Sequence, residues 1–190
     1  MKVAREDLRP ALHAATGLVA LGLGVLPRWL ALAGAAFGIF VGWVGFAWTG
    51  LEARLRRPGE PWLGGLRTYP VAVAGLVLAL PPTEAAVAWA IFAFGDAAAS
   101  VVGRRVPAPS VLGHRKATWA GSTAMLVVGA ATGVAFGAVV AATGGGPAPS
   151  LARTALAALA ATLADLVPVP PDDNLPHAVA AGLVLAFAPV

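Results

Sequence analysis

Residues 84–105 read EAAVAWAIFAFGDAAASVVGRR. Apart from Glu84 and Asp96, every residue up to Gly103 is apolar or small, and two arginines follow at once. A block of about 20 apolar residues is long enough to cross a bilayer as one helix. Basic residues directly after such a block are typical of its cytoplasmic end. The stretch therefore predicts a membrane-spanning helix that carries a carboxylate.

The whole chain shares this composition. Of its 190 residues, 58% are hydrophobic and only 12% are charged, whereas soluble domains are about a quarter charged. The formal net charge of +4 comes from loop residues, which favours contacts with phosphates and anionic headgroups over nucleic acid. The chain has no cysteine, which excludes disulfides, Cys-ligated metals and thiol nucleophiles. We expect one integral membrane domain, residues 1–190, built as an all-α, polytopic bundle.

Seven apolar segments set the expected topology. We place the spans at about 10–26, 29–49, 69–81, 84–103, 118–143, 151–168 and 176–190. The third and the last are short for a straight crossing, so they require added residues or a locally thinned bilayer. Segment 50–68 is the longest loop, and its first part is a candidate for a short interfacial helix. We interpret Glu52 and Glu60 as solvated loop charges.

The basic residues predict the orientation. With the N-terminus in the cytoplasm, every Lys and Arg except Arg28 and Arg153 lies on the cytoplasmic side, as the positive-inside rule requires. We therefore expect a multi-pass protein of the cytoplasmic membrane with its C-terminus outside. The basic start followed by an apolar run also resembles a secretory signal. Glu6 and Asp7 favour an uncleaved first span, with cleavage near Ala33 as the alternative.

Glycine recurs every fourth residue in two spans, and this spacing lets helix backbones approach closely. The glycines are Gly34, Gly38 and Gly42 in the second span, and Gly129, Gly133 and Gly137 in the fifth. The pattern favours packing within the chain. Contact between copies of the chain, giving a homo-oligomer, is the alternative.

Carboxylates inside spans are costly and are functional by default. Asp96 and Asp165 both fall in the cytoplasmic half of their spans, at the same depth as most other polar residues of the chain. Those residues are Arg9, His13, His114, Arg115, Lys116, Asp172, Asp173 and Asn174. A transporter more naturally places such groups near the midplane. The pattern instead favours an enzyme site open to the cytoplasm.

Asp96, Ser100 and Gly103 share one helical face because they are spaced four and three residues apart. The following loop supplies basic residues that suit a polyphosphate, with Asp96 holding a divalent metal. These residues are Arg104, Arg105, Arg115 and Lys116. The structural alternative is that Asp96 pairs with an arginine and only holds the bundle together.

Two further candidates have structural alternatives as well. Asp172, Asp173 and Asn174 offer hard oxygen ligands suited to magnesium, or they form a solvated turn after several prolines. Arg9 stands four residues before His13, so both can face one phosphate, or His13 is a packing histidine. The chain has no P-loop, no dinucleotide-binding fingerprint and no HExxH or GxSxG motif.

Several motifs resemble the polyprenol kinase family, which includes phytol kinase, dolichol kinase and the CTP-dependent diacylglycerol kinase. The most specific are GDAAASVVGRR at 95–105 and GHRKATWAGS at 113–122. LRPALHAATG at 8–17, GGLRTYP at 64–70 and DDNLP at 172–176 also match the family in order along the chain.

The resemblance implies a CTP-dependent kinase, with magnesium as cofactor and a membrane lipid alcohol as acceptor. Asp96, Lys116 and Asp173 are then the catalytic residues, and Asp96, Asp172 and Asp173 the metal ligands. The nucleotide is held by Ser100, Gly103, Arg104, Arg105, Arg115, Lys116, Gly121, Ser122 and Asn174. Arg9, His13 and Asp165 are further candidates.

Two other functions compete with this interpretation. A CTP-dependent cytidylyltransferase uses similar groups to make a CDP-activated lipid, and a small transporter or membrane scaffold uses them without chemistry. The sequence leaves open whether the alcohol is phytol, geranylgeraniol, a longer polyprenol such as dolichol, or diacylglycerol.

Overall fold

A computed structural model describes residues 2–55, 64–113, 117–167, 169 and 174–188. Over these residues the protein is helical and contains no β-strand, only an isolated bridge between Ser110 and Thr118. The predicted all-α class is therefore confirmed for the described part of the chain.

Eight α-helices are labelled here in chain order. They are α1 (Lys2–Gly17), α2 (Arg28–Trp48), α3 (Glu52–Leu55), α4 (Gly65–Ala79), α5 (Pro82–Arg105), α6 (Trp119–Ala142), α7 (Leu151–Ala164) and α8 (Asn174–Phe187). A 3₁₀ segment, Leu18–Gly24, extends α1, and a π-helical turn, Val41–Gly45, lies within α2. A single helical turn, α3, lies in the first part of the loop where a short interfacial helix was expected.

Helix α5 is the centre of the bundle. Nine consecutive residues, from Ala85 to Ala93, are buried, and none is more than 7% exposed. A helix that is apolar on all sides needs neighbours on all sides. Contacts from α1, α4, α6, α7, α8 and the 3₁₀ segment supply them. The stretch that predicts the membrane helix is thus also the core of the fold.

Within the described ranges, three helices are long and apolar enough to cross a membrane: α2, α5 and α6. The apolar helices α4, α7 and α8 have only 15, 14 and 14 residues. Each predicted span overlaps a helical segment, but the helices and the spans differ in their bounds. Helix α1 begins at Lys2 instead of about residue 10, and α4 begins at Gly65 instead of residue 69. Both starts lie in polar sequence that hydropathy alone does not assign to a helix.

Two backbone hydrogen bonds join the beginning and the end of the loop between α5 and α6. The backbone N–H of Val111 donates to the carbonyl of Ala117 at 3.0 Å, and that of Trp119 donates to Pro109 at 3.1 Å. The Thr118 hydroxyl then caps α6 by accepting from the Gly121 N–H at 3.1 Å. These bonds hold the end of α5 beside the start of α6.

The two glycine rows have different surroundings. A Cβ at Gly133 would lie 2.9 Å from the Thr154 side chain and 3.0 Å from Ile91, so this row packs tightly within the chain. On α2, a Cβ at Gly42 would lie 2.7 Å from the Leu66 carbonyl oxygen, but one at Gly34 would meet nothing within 4 Å. Packing within the chain therefore explains the α6 row and only one end of the α2 row.

Candidate functional site

A polar cavity of about 320 Å³ lies where several helix ends meet. Helices α1 and α5, the start of α6, the end of α7 and the start of α8 all contribute to its wall. The lining residues are Arg9, His13, Asp96, Ala99, Ser100, Gly103, Arg104, Ala117, Thr118, Gly121, Ser122, Asp165 and Asn174. The fold thus brings together most of the described residues that the sequence singled out.

Asp96 and His13 are in direct contact across the cavity wall. The His13 Nδ1 atom lies 3.1 Å from Asp96 Oδ2, although the residues are 83 positions apart. His13 is 8% exposed and the Asp96 side chain 21%. When Nδ1 donates its proton to the carboxylate, the other ring nitrogen is an acceptor. A histidine that was weighed as a packing residue is thus the partner of the central carboxylate.

Tyr69 holds His13 in place. The two rings stack with centroids 4.4 Å apart. The Tyr69 hydroxyl accepts hydrogen bonds from the Thr16 hydroxyl and the Trp89 indole, each at 2.9 Å. These contacts join α1, α4 and α5 directly beside the site. Sequence reasoning missed this cluster, and the GGLRTYP motif that contains Tyr69 was its one signal.

A second histidine–carboxylate pair stands at the same cavity. The Nε2 atom of His177 lies 3.2 Å from Asp165 Oδ1, which belongs to the residue that ends α7. His177 is completely buried, and no sequence pattern singles it out. The Phe92 ring is close to both histidine rings: its centroid lies 6.2 Å from the centroid of the His13 ring and 6.3 Å from that of the His177 ring.

Of the arginines near the cavity, two line it and one does not. Arg9 and Arg104 line the cavity, whereas Arg105 is not among its lining residues. Asp7 pairs with Arg104 at 3.0 Å and with Arg105 at 2.6 Å. Because neighbouring residues on a helix point about 100° apart, only one of the two adjacent arginines faces the cavity. Sequence reasoning used Asp7 only to favour an uncleaved first span and did not predict these ion pairs.

The N-terminus of α6 forms one wall of the cavity. The helix dipole places its positive end here, which favours anions, although the N–H groups of Trp119 and Gly121 already donate to Pro109 and Thr118. Ser122, in the first turn, is 9% exposed, and its Oγ has no hydrogen-bond partner among the described residues. A buried hydroxyl beside a helix N-terminus suits a phosphate oxygen.

Glycines let α5 and α6 meet beside this wall. A Cβ at Gly121 would lie 3.1 Å from the Ala99 carbonyl oxygen and 3.4 Å from the Gly103 Cα. The expectation was that these glycines make room for a nucleotide. Their backbones also touch each other, so they bring two walls of the cavity together.

The start of α4 forms hydrogen bonds to Asn174, one of the residues that line the cavity. The Asn174 amide donates to the Gly65 carbonyl at 3.2 Å and to the Thr68 hydroxyl at 3.0 Å. Arg67 is 3% exposed and forms a two-pronged pair with Glu52, both bonds measuring 2.9 Å. The interpretation of Glu52 as a solvated loop charge was therefore wrong, because it neutralises a buried arginine.

Five predicted residues lie outside the described part of the chain: His114, Arg115, Lys116, Asp172 and Asp173. Glu60 lies outside it as well. Among the described residues, no three His, Asp or Glu side chains are grouped closely enough to hold a metal ion. The described metal candidate, Asp96, shares the cavity with the Asp165 carboxylate and the Asn174 amide.

An apolar groove of about 490 Å³ adjoins the polar cavity. It lies between α1 with its 3₁₀ extension, α2 and α4. Arg9 and His13 line both spaces.

Comparisons with protein-family models, curated proteins and solved structures find no match to this chain. The resemblance to the polyprenol kinase family therefore stays a prediction from sequence motifs.

Proposed function

We propose that the protein is a CTP-dependent kinase that phosphorylates a membrane lipid alcohol. The observation that carries the proposal is the meeting of two unlike spaces at His13. One is a polar cavity with cations, carboxylates and a helix N-terminus, and the other is an apolar groove. Transfer of phosphate from a soluble nucleotide to a lipid needs both.

We further propose seven membrane crossings, with α1 and its 3₁₀ extension as the first. The cavity residues lie near the starts of α6 and α8 and near the ends of α5 and α7, as expected when successive segments alternate in direction. The start of α4 is also close, since Asn174 bonds to Gly65 and Thr68. Helices of 14 residues span roughly 21 Å, less than the hydrocarbon thickness of about 30 Å, so the bilayer is thinned around them.

The basic residues at the cavity end favour a cytoplasmic cavity and N-terminus. A cysteine introduced at the exposed Ser110 tests this orientation, because the native chain has none. Membrane-impermeant reagent should label it in inside-out vesicles and not in intact cells. Labelling from outside the cell would overturn the orientation.

In this proposal the triphosphate lies against Arg9, Arg104 and the first turn of α6. Fixed cations and the positive end of the helix dipole stabilise phosphate charge without moving during the reaction. Ala117 and Asn174 line the cavity and directly follow Lys116 and Asp173 in the chain. The proposal therefore keeps Lys116 as a phosphate contact and Asp173 as a second carboxylate.

The donor atoms of the cavity suit magnesium. In nucleotide sites Mg²⁺ takes one or two carboxylates and completes its shell with phosphate oxygens and water. Asp96 would hold it, with Asp165 and Asn174 offering further oxygens in the same cavity. When bound, it neutralises charge on the triphosphate.

The acceptor hydroxyl oxygen attacks the γ-phosphorus, a new P–O bond forms, and the bond to the β,γ-bridging oxygen breaks. CDP leaves with the bonding electrons, and the hydroxyl proton passes to the Asp96–His13 pair. Such transfers depend mainly on positioning and charge stabilisation, which the cavity residues supply.

The test is a matrix of donors and acceptors with purified protein and magnesium. CTP should outperform ATP with a prenol, a preference that follows from the family resemblance, and the products should be a lipid monophosphate and CDP. A CDP-lipid with pyrophosphate would show a cytidylyltransferase instead. No turnover with any pair would overturn the enzyme proposal and favour a transporter or scaffold.

A further inference from the structure

Gly65, the first residue of α4, has no side chain at a point that the Arg9 guanidinium occupies. A Cβ at this position would lie 1.8 Å from Arg9 Nη2 and 3.0 Å from Arg9 Cζ. The backbone of Gly65 is helical, so other residues can adopt it, and alanine is a better helix former than glycine. The missing side chain therefore matters for the position of Arg9 and is not required by the helix.

The backbone around Gly65 is held by three other helices. The Asn174 amide of α8 donates to the Gly65 carbonyl at 3.2 Å. The Trp43 indole of α2 donates to the Arg67 carbonyl at 3.3 Å, and the buried Arg67 side chain pairs with Glu52 of α3. The guanidinium, in contrast, is the end of a flexible side chain. A methyl group added at Gly65 should therefore displace the guanidinium and leave the backbone in place.

Arg9 has a different place from the other arginine of the cavity. Arg9 and Arg104 both line the polar cavity, but of the two only Arg9 also lines the apolar groove. In the proposed reaction the γ-phosphoryl group passes from a nucleotide in the cavity to an alcohol that comes from the lipid. A cation at the border of the two spaces is placed for the transferred group, whereas Arg104 is placed for the rest of the triphosphate.

We infer that Gly65 is a positioning residue, which leaves the space in which the Arg9 guanidinium is held against the γ-phosphate of the nucleotide. This role rests on the proposed kinase function, in which Arg9 was one of several cations and Gly65 had no part. Charge on the transferred group is stabilised best by a cation that is already in place. Gly65 supplies that placement without touching the nucleotide.

Gly65→Ala tests the role, with Gly75→Ala of the same helix as its matched control. A Cβ at Gly75 meets nothing within 4 Å, and Gly75 lines neither space. Gly65→Ala should lower kcat/KM for CTP with a prenol acceptor about 10- to 100-fold, the size typical of a group misplaced by about 1 Å. Gly75→Ala should leave it unchanged. Both variants should unfold in detergent at no lower temperature than the unaltered protein.

Nucleotide binding gives a readout that a loss of structure would not produce. CDP lacks the γ-phosphate, so it cannot report a contact to that group. Equilibrium dialysis with radiolabelled CTP and CDP should show that Gly65→Ala weakens CTP binding about tenfold, as expected for one hydrogen bond to a charged group, and leaves CDP binding unchanged. Equal weakening of both nucleotides would overturn the assignment of Arg9 to the γ-phosphate.

A double variant tests whether Gly65 acts through Arg9. A Cβ at Gly65 would also lie 2.9 Å from the Asn174 Nδ2 atom, which offers a second route for the effect. In an Arg9→Ala background no guanidinium remains to be displaced, so Gly65→Ala should then change kcat/KM by less than about twofold. Losses that multiply in the double variant would show that Gly65 acts independently of Arg9 and would overturn the positioning role.

The measurements separate a failure of this role from a failure of the proposed function. Turnover by the unaltered protein together with identical behaviour of Gly65→Ala and Gly75→Ala would reject the role of Gly65 and leave the kinase in place. Selective loss of CTP binding in Gly65→Ala without turnover by any variant would keep the role and reject the kinase. Binding of neither CTP nor CDP by the unaltered protein would reject both.

Discussion

The Asp96–His13 pair and the Asp165–His177 pair have similar spacing and stand at the same cavity, but their histidines differ in access. His13 lines both the polar cavity and the apolar groove. His177 is 0% exposed and lines neither. The first pair is therefore accessible from both spaces, whereas in the second only the carboxylate faces the cavity. The comparison teaches that two similar histidine–carboxylate contacts can differ in which ligands they are able to reach.

The largest effect is expected at Asp96. Asp96→Asn keeps the shape and removes the charge that, in the proposed enzyme, would hold magnesium and orient the acceptor hydroxyl. Turnover should fall roughly 10²- to 10³-fold, as when one electrostatic contact to a reacting group is removed. The protein should still fold, because asparagine costs less than aspartate to bury in a membrane. Steady-state kinetics on purified protein measures the loss.

Asp165→Asn is the matched control, since it makes the same change at the other carboxylate of the cavity. We expect a loss of only about tenfold, because the asparagine oxygen can still approach a magnesium ion that Asp96 holds. A larger loss for Asp165→Asn than for Asp96→Asn would show that the comparison is reversed and that chemistry occurs at the end of α7.

The next effect is expected at His13. His13→Gln keeps a polar side chain but removes the ring that contacts Asp96 and Tyr69. We expect kcat/KM for the alcohol to fall about 10- to 100-fold, with the KM for CTP nearly unchanged. This split follows because His13 faces the groove as well as the cavity. Equal changes for CTP and alcohol would show that His13 acts only on the nucleotide side.

The smallest effect on turnover is expected at His177. His177→Leu removes a buried partner of Asp165, so stability should fall by about 1–3 kcal/mol, measured by thermal unfolding in detergent. Specific activity of the folded fraction should change only a few-fold. The double variant with Asp165→Asn should lose less stability than the sum of the single variants, because the residues interact. A stable but inactive His177→Leu protein would contradict the supporting role.

Hydrophobic pattern was sufficient to locate the helices and the central stretch of α5. Asp96 was predictable for the same reason, since a carboxylate is costly inside an apolar block and is rarely found there without a function. The convergence of Arg9, Ser100, Gly121 and Asn174 on one cavity agrees with the expected common depth. The expected depth of a residue in the membrane follows from its position along its predicted span, and that position can be counted in the sequence.

Contacts across the bundle were not predictable in this way. The Asp96–His13 contact joins helices 83 positions apart, and a single histidine in an apolar helix has no periodic signal. Glu52 was misinterpreted because its neighbours are charged, although its partner Arg67 is buried. The rotation of a helix decides which of Arg104 and Arg105 faces the cavity, and charge alone does not report rotation.

In the proposed enzyme, Asp7 would make nucleotide binding an exchange of counter-ions. Its carboxylate already neutralises Arg104 and Arg105, so in the proposed enzyme an arriving triphosphate replaces one counter-ion with another. The net gain is then the difference between two attractions, which keeps the product CDP from being held too tightly. Asp7 would in this way favour rapid release over tight capture.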